Sequence, residues 1–412
     1  MRQSSGESGP SAWILTEPSQ SQVSVWGLTA VERLRREAKA AGVHESAIRI
    51  GPGSRAWPSG ETCIVFRSDY IFDERLVRAL VASGNTVLCA PPSDLDGGGP
   101  VAAHVVSERL CEAVRLLRRD GRSDALPFSG GPPAPSGAPD LRFVEPAELA
   151  GLYAPSLRRA DAPYLLHVQS EAVSILERRI FDASYKGVTD LITKWVWPFP
   201  ARWLTRRLAR RSVHPNIVTA LSWILAVVAA ILFARGTFGW GLVVAWVMTF
   251  LDTVDGKLAR VTLTSSRTGG VLDHGLDLLH PPFWYAGWAL GLPSTGVLIT
   301  PALAVTLVGY AAGRGIEGLF VLAFKTEIHC WRPLDSRFRA ITARRNPNLI
   351  LLTVGACAGR PDVGLALVAV WTAISVGFHT VRLVQAMAEG LRRRRVRAWL
   401  DGGAVCEPTR SP

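Results

Sequence analysis

Carboxylates are costly inside an apolar chain, so four of them packed between two apolar segments need a chemical reason. Residues 251–280, LDTVDGKLARVTLTSSRTGGVLDHGLDLLH, hold Asp252, Asp255, Asp273 and Asp277. The first two are three residues apart and the last two are four apart, so on helices each pair shares a face. A turn between the helices sets them antiparallel and brings all four carboxylates together. Oxygen donors at this density suit Mg²⁺ or Mn²⁺ rather than zinc. At membrane depth each charge costs roughly 2.5–3.5 kcal/mol at a helix centre, which makes an idle cluster implausible. Gly256, Gly269 and Gly270 let a ligand approach the backbone with no Cβ in the way. Arg260, five residues after Asp255, offers a fork of donors suited to phosphate.

The elements that must hold these residues are apolar stretches near the ~20 residues a bilayer-spanning helix needs. Six can be read, at 215–234, 239–260, 271–291, 299–324, 348–359 and 363–388, and the fifth is short. Lys and Arg number five in 202–214, three in 257–268, six in 325–346 and five in 392–397, whereas the alternate loops hold only Arg235 and Arg360. Positive charge marks the cytoplasmic side, so both termini and the 257–268 loop should face the cytosol of a cell-membrane protein. Hydrophobic residues make up 48%, mean hydropathy is +0.19 and net charge is +12. Because the arginines track helix ends, that charge fits an anionic leaflet and phosphate ligands; no nucleic-acid partner is expected. Ala201–Arg211 carries five arginines with Trp203, Leu204 and Leu208 between them, the spacing of an amphipathic helix on a membrane surface.

The remainder of the chain reads as follows. Residues 1–12 are polar and expected to be disordered, with no apolar signal-peptide core. Residues 13–165 have the composition of an α/β domain, with strands at Ile48–Ile50, Cys63–Phe66 and Thr86–Cys89 and helices at Ala30–Ala41 and Glu74–Ala82. Pro127–Pro139 is a loop or linker. Residues 166–212 are juxtamembrane and interfacial helices, from about Gln169 to Phe181 and from Tyr185 to Trp197. Residues 213–391 form the membrane domain, and 392–412 a basic cytosolic tail. The six cysteines are scattered, with no CxxC pair, and suggest neither a zinc site nor a disulfide framework.

The aspartate segment fits D-x2-D-G-x2-A-R-x8-G-x3-D-x3-D at Asp252, Asp255, Gly256, Ala259, Arg260, Gly269, Asp273 and Asp277. That pattern resembles the signature of the CDP-alcohol phosphatidyltransferases, and the resemblance covers about 185–390. It implies an all-α, six-helix transmembrane phosphotransferase domain following the α/β domain. It also implies a reaction in which an alcohol displaces CMP from a CDP-activated donor, either CDP-diacylglycerol or a soluble CDP-polyol. Asp252, Asp255 and Asp273 would hold metal, and Asp277 would share in metal binding and act as base. Gly256, Ala259, Gly269 and Arg260 would receive the CDP group. Pro215–Thr219 (PNIVT) resembles the P-N-x-x-T that opens the family's first span and adds Asn216 and Thr219 to the CDP site, while a helix start with proline at its first position explains it equally well. Tyr185–Lys194 resembles the interfacial helix bordering the active site. Homodimers are usual in the family.

Arg314 and Glu317, three apart in the fourth span, read either as an ion pair or as an acceptor-phosphate contact. With Arg332 and Arg339 from the following loop, Arg314 forms the candidate acceptor site. A polyol phosphate, inositol phosphate or glycerol phosphate, is the preferred acceptor. Residues 13–165 resemble the nucleotidyltransferase (Rossmann-like) domain fused to some members, with Asp69 at its metal position. The glycine-rich GxGxR loop is replaced by EPSQSQVSVW, so this domain is expected to be inactive. Two rival functions use the same residues: a cation transporter, which leaves Gly256, Ala259 and Arg260 unexplained, and an inactive membrane scaffold, against which the complete aspartate set argues.

Overall fold

The computed structural model describes residues 10–16, 23–51, 62–92, 98–118, 140–168, 173–265, 267–293, 298–393 and 396–402. The Pro127–Pro139 linker and most of the segment replacing the glycine-rich loop lie outside them. The chain divides into two compact units, 1–154 with 161–183, and 155–160 with 184–412.

The first unit is built on strands β1 (Ser11–Leu15), β4 (Ile48–Ile50), β5 (Thr62–Arg67), β7 (Thr86–Ala90), β8 (Gly99–Val106) and β9 (Arg142–Val144). They lie in the order β4-β1-β5-β8-β7-β9. Two short pairings, β2 (Ser24–Val25) with β3 (Leu28–Thr29), and β6 (Tyr70–Phe72) with Leu165–His167, flank this sheet. Strands β4, β1 and β5 run parallel, and β8 is antiparallel to both β5 and β7, so the sheet is mixed. β1 begins inside the stretch expected to be disordered. Its SAWIL residues are all buried, because the strand is flanked on both sides within the sheet.

Helices α1 (Ala30–Ala40) and α2 (Glu74–Ala82) start where Thr29 and Asp73 cap them, accepting from the amides of Glu32 and Arg75. Their apolar faces close over Ile14, Ile64, Phe66 and Leu88, each such side chain contributing about 1.5–3 kcal/mol of burial. Helix α3 (Leu110–Leu117) covers Val65, Val87 and Val105 from the other face. After the short α4 (Pro146–Ala150) comes α5 (Val173–Ala183), which was expected to be juxtamembrane but packs into this unit. Trp26 Nε1 donates to the Glu177 carbonyl at 2.9 Å, and its ring stacks on Phe181 with centroids 5.6 Å apart.

The second unit is helical. Its elements are α6 (Pro198–Arg210), α7 (Pro215–Ala234), α8 (Phe238–Val261), α9 (Arg267–Leu290), α10 (Ile299–Phe324), α11 (Pro333–Arg339), α12 (Arg345–Cys357) and α13 (Pro361–Arg393). Among the described residues, α7, α10 and α13 are long and apolar enough to cross a membrane. Helices α8 and α9 match the second and third expected spans but carry the charged motif, and α12, at thirteen residues, reaches only about 20 Å.

Phe233, Leu242, Met248, Leu276, Trp284, Trp288, Leu349 and Leu365 form the core of the bundle. The indole N–H groups of Trp284 and Trp288 donate to the carbonyls of Ala226 and Pro361 at 2.8 and 2.9 Å. Helices α12 and α13 meet through Gly355 and Gly364. A Cβ on Gly355 would fall 2.5 Å from the Gly364 Cα, so both positions need small residues.

The helix expected over Tyr185–Trp197 does not form as such. Only Ile192–Val196 is helical, as a single π-type turn. The reason is local: Gly187 lies against 157–159, its N–H donating to the Leu157 carbonyl at 2.9 Å, and a Cβ there would meet the Arg158 carbonyl at 2.6 Å.

Candidate active site

Helix α8 carries Asp252 and Asp255 near its C-terminal end, and α9 carries Asp273 and Asp277 near its N-terminal end. Of Asp273 the backbone position is described, one turn before Asp277. Asp255 is 3% exposed and is fixed by the first turn of α7, where Thr219 Oγ1 donates to its Oδ2 at 2.6 Å. Arg345, the first residue of α12, joins the two motif helices. Its Nη2 donates to Asp252 Oδ2 at 2.6 Å and its Nη1 to Asp277 Oδ1 at 2.9 Å. One guanidinium thus bridges a carboxylate of each motif helix. The donor set is oxygen only and fits a hard divalent ion.

A cavity of about 750 Å³ opens beside these residues. Asp252, Gly256, Arg260, Asp277, Arg314 and Arg339 line it, and so do Arg158, Lys186, Asp190, Lys257, His274, Glu317, His329, Arg344 and Arg345. Arg260 folds over Gly256, where a Cβ would stand 3.2 Å from its Nη2. Lys257 is 3% exposed; its ammonium donates to the Ser184 carbonyl at 3.0 Å and sits over the Tyr185 ring. Lys and Arg outnumber Asp and Glu among the described lining residues, so the space favours an anionic ligand.

The positive charge is held by half-buried pairs. Arg314 Nη1 donates to Glu317 Oε2 at 3.3 Å, and Arg344 pairs with the same oxygen. The Arg345 guanidinium, 16% exposed, is held by ion pairs with both Asp252 and Asp277. Burial, with the adjacent Arg344 charge, pulls Arg339 down to about 9 despite the opposing pull of Asp190, so it remains charged at neutral pH. Its Nε and Nη1 are buried without hydrogen-bond partners. Burial disfavours the Asp190 anion, yet Arg339 and hydrogen bonds from Thr193 and Asn346 hold its pKa below the usual value.

The remaining sequence candidates fall outside the cavity. Arg332 is corrected as an acceptor contact: its guanidinium pairs with Glu389, lies over Trp331, and does not line the cavity. Ala259, Gly269 and Asn216 are not lining residues either, and the Asn216 amide caps α7 by donating to His214 Nδ1 at 3.2 Å. Thr219 orients Asp255 rather than facing the cavity. In the first unit, Asp69 is 3% exposed, receives Arg67 Nε at 2.9 Å and has His167 Nε2 at 3.5 Å. The residues not singled out from sequence are Lys186, Asp190, Lys257 and, above all, Arg345, which was grouped with the topological loop arginines. Its one signal was its place at the start of an apolar helix.

Residues 212–342 match the sequence model of the CDP-alcohol phosphatidyltransferases. This stretch, which holds all four aspartates, is similar to the CDP-alcohol phosphatidyltransferase domain. Over 138 residues the chain is 33% identical to the phosphatidylinositol phosphate synthase of Streptomyces avermitilis, a match covering 32% of this chain and 54% of that protein. A bifunctional IPC transferase and DIPP synthase of Rubrobacter xylanophilus is 33% identical over 153 residues, 37% of this chain and 33% of the relative. The chain thus spans about half or less of the length of these relatives. A crystal structure of the Mycobacterium tuberculosis phosphatidylinositol phosphate synthase in complex with manganese and citrate is similar at 21% identity and a TM-score of 0.36. That likeness covers 44% of this chain and 88% of that one.

Proposed function

We propose that this chain is a membrane-embedded phosphotransferase that moves a phosphatidyl or phospho-polyol group from a CDP-activated donor to a phosphorylated polyol, releasing CMP. The observation that supports this reading is that Asp252 and Asp277, bridged by Arg345, line the same cavity as Arg314, Arg339 and Arg344, with Asp255 one turn along α8 from Asp252. The similarity to phosphatidylinositol phosphate synthases supports CDP-diacylglycerol as the preferred donor and inositol phosphate as the preferred acceptor.

Asp252, Asp255 and Asp273 hold Mg²⁺ or Mn²⁺, with Asp277 as a further ligand. When bound, the ion supplies charge neutralisation at the donor diphosphate. Gly256 leaves room for the donor and Arg260 reaches its phosphates. The partnerless guanidinium edge of Arg339 receives the acceptor phosphate, with Arg314 and Arg344 beside it. Asp277 takes the proton of the acceptor hydroxyl. The hydroxyl oxygen then bonds to the donor β-phosphorus as the bond from that phosphorus to the CMP oxygen breaks.

In this reading α7, α8, α9, α10, α12 and α13 are the six spans, with both termini and the active site on the cytoplasmic side, and the protein is a homodimer. The first unit is a nucleotidyltransferase-like domain that has lost activity. The burial of Asp69 and its pairing with Arg67 support this, since they leave that carboxylate poorly placed for a metal.

The test is CMP release and product mass from purified chain given CDP-diacylglycerol or a CDP-polyol with inositol phosphate, glycerol phosphate or the free alcohols. Activity should need Mg²⁺ or Mn²⁺. Full turnover in excess EDTA would sink the aspartate mechanism. No CMP from any pair, together with cation flux into vesicles, would establish the transporter instead.

A further inference from the structure

Glu317 on α10, His329 in the turn before α11 and His379 on α13 meet beside the cavity. Each offers one ligand atom, and these three atoms lie within 4.8 Å of one another. Glu317 Oε1 is 3.3 Å from His329 Nε2, and the two imidazole centroids are 5.1 Å apart. The other carboxylate oxygen, Oε2, is taken by Arg314 and Arg344. One oxygen is thus anchored by guanidinium groups while the other faces the histidines. Outer partners orient a metal-ligating carboxylate in the same way. His329 and His379 are 3% and 2% exposed, and His379 Nε2 is buried with no hydrogen-bond partner. An unsatisfied buried nitrogen destabilises the fold, and a ligand would recover that loss.

We propose that Glu317, His329 and His379 form a second metal site, for a transition-metal ion of the zinc class, distinct from the aspartate cluster. Two imidazoles and one carboxylate are the donor set of open zinc sites, whereas Mg²⁺ prefers oxygen alone. Tetrahedral coordination places ligand atoms roughly 3.3 Å apart, so side-chain rotations have to close the widest gap by roughly 1.5 Å. Glu317 and His329 also line the large cavity, which directs the fourth position there. With Arg314 and Arg344 adjacent, that position takes an anion: hydroxide, or a phosphate or carboxylate oxygen. The site goes beyond the transfer reaction, which uses neither histidine.

The experiment titrates Co²⁺ into full-length, chelator-stripped protein in detergent with saturating Mg²⁺, and reads the visible d–d absorption and its loss on adding Zn²⁺. One Co²⁺ per chain, with a tetrahedral-type band that Mg²⁺ does not remove, is expected. His379→Asn and His329→Gln should each weaken it by about tenfold or more, while Asp252→Asn leaves it intact. A band that survives His379→Asn, or that excess Mg²⁺ or Asp252→Asn abolishes, overturns the proposal. If the histidine variants do not fold, Cu²⁺ electron paramagnetic resonance on the unsubstituted chain decides. Hyperfine splitting from two nitrogens that is lost in Glu317→Gln supports the site, and a nitrogen-free spectrum refutes it.

Discussion

Asp277→Asn separates catalysis from donor binding. The substitution keeps the size of the side chain and leaves an oxygen that can still accept from Arg345 Nη1, now 2.9 Å from Oδ1. Arg345 keeps its other bond, to Asp252 at 2.6 Å. The Asp277 side chain is 49% exposed, so the lost ion pair is screened and worth about 0–1 kcal/mol. Donor affinity should therefore fall less than about tenfold, because the other three carboxylates remain. Loss of a positioned general base costs about 10²–10⁴-fold in turnover, roughly 3–5 kcal/mol on the barrier. Asp255→Asn differs in kind: that carboxylate is 3% exposed and bonded by Thr219, so donor affinity and turnover should fall together. Calorimetry with a CDP donor and CMP-release rates measure both quantities on each variant. If Asp277→Asn binds donor as poorly as Asp255→Asn, Asp277 is chiefly a metal ligand. If it turns over normally, the base lies elsewhere.

Thr219→Val removes the 2.6 Å bond to Asp255, and a hydrogen bond to a charged group is worth about 1.5–3 kcal/mol. Donor affinity in calorimetry should drop by about 10–100-fold, and Thr219→Ser should restore it. Arg339→Ala should raise the acceptor KM by about tenfold or more, whereas Arg332→Ala, outside the cavity, should change it less than about twofold; equal effects would refute the assignment. Arg345→Gln frees Asp252 and Asp277 from a competing guanidinium, so Mn²⁺ binding followed by paramagnetic resonance without donor should tighten on the order of tenfold. In the Asp252→Asn background the full chain should release no pyrophosphate from CTP with any polyol phosphate, because the Asp69 carboxylate is tied to Arg67.

The aspartate pairs were legible because their geometry is local. Spacings of three and four residues fix a shared helical face whatever surrounds them, and Gly256 and Arg260 lie together on α8. Arg345 was not legible: it lies 93 residues from Asp252 and 68 from Asp277, and only the packing of α12 brings it there. Arg332 and Arg339 looked alike in sequence, yet they stand at opposite ends of the seven-residue α11. One end faces Glu389 and the other Asp190. In the first unit, β5 and β7 announced themselves as apolar β-branched runs. By contrast, β1 sits at the edge of a polar leader, and its assignment depends on partners 36 and 52 residues away. The Tyr185–Trp197 segment misled because helical composition there yields to a close backbone contact that only Gly187 permits.

The cavity is best understood as having two poles. Asp252 and Asp277 would repel a diphosphate by themselves, so in the proposed function the donor settles there only when positive charge comes with it. The opposite wall has the reverse difficulty: Arg339, Arg344 and Arg314 repel one another, and Glu317 and Asp190 balance only part of that charge. A phosphorylated acceptor relieves this wall, whereas an uncharged alcohol leaves it strained. Arg345 stands at the acidic pole, bridging Asp252 and Asp277, next in sequence to Arg344 at the basic one. The start of α12 therefore ties the two charge systems together, and any shift of Arg345 away from the carboxylates adds its charge to the phosphate side. Under the proposed function, that coupling suits a transfer between two phosphate-bearing substrates better than transfer to a neutral alcohol.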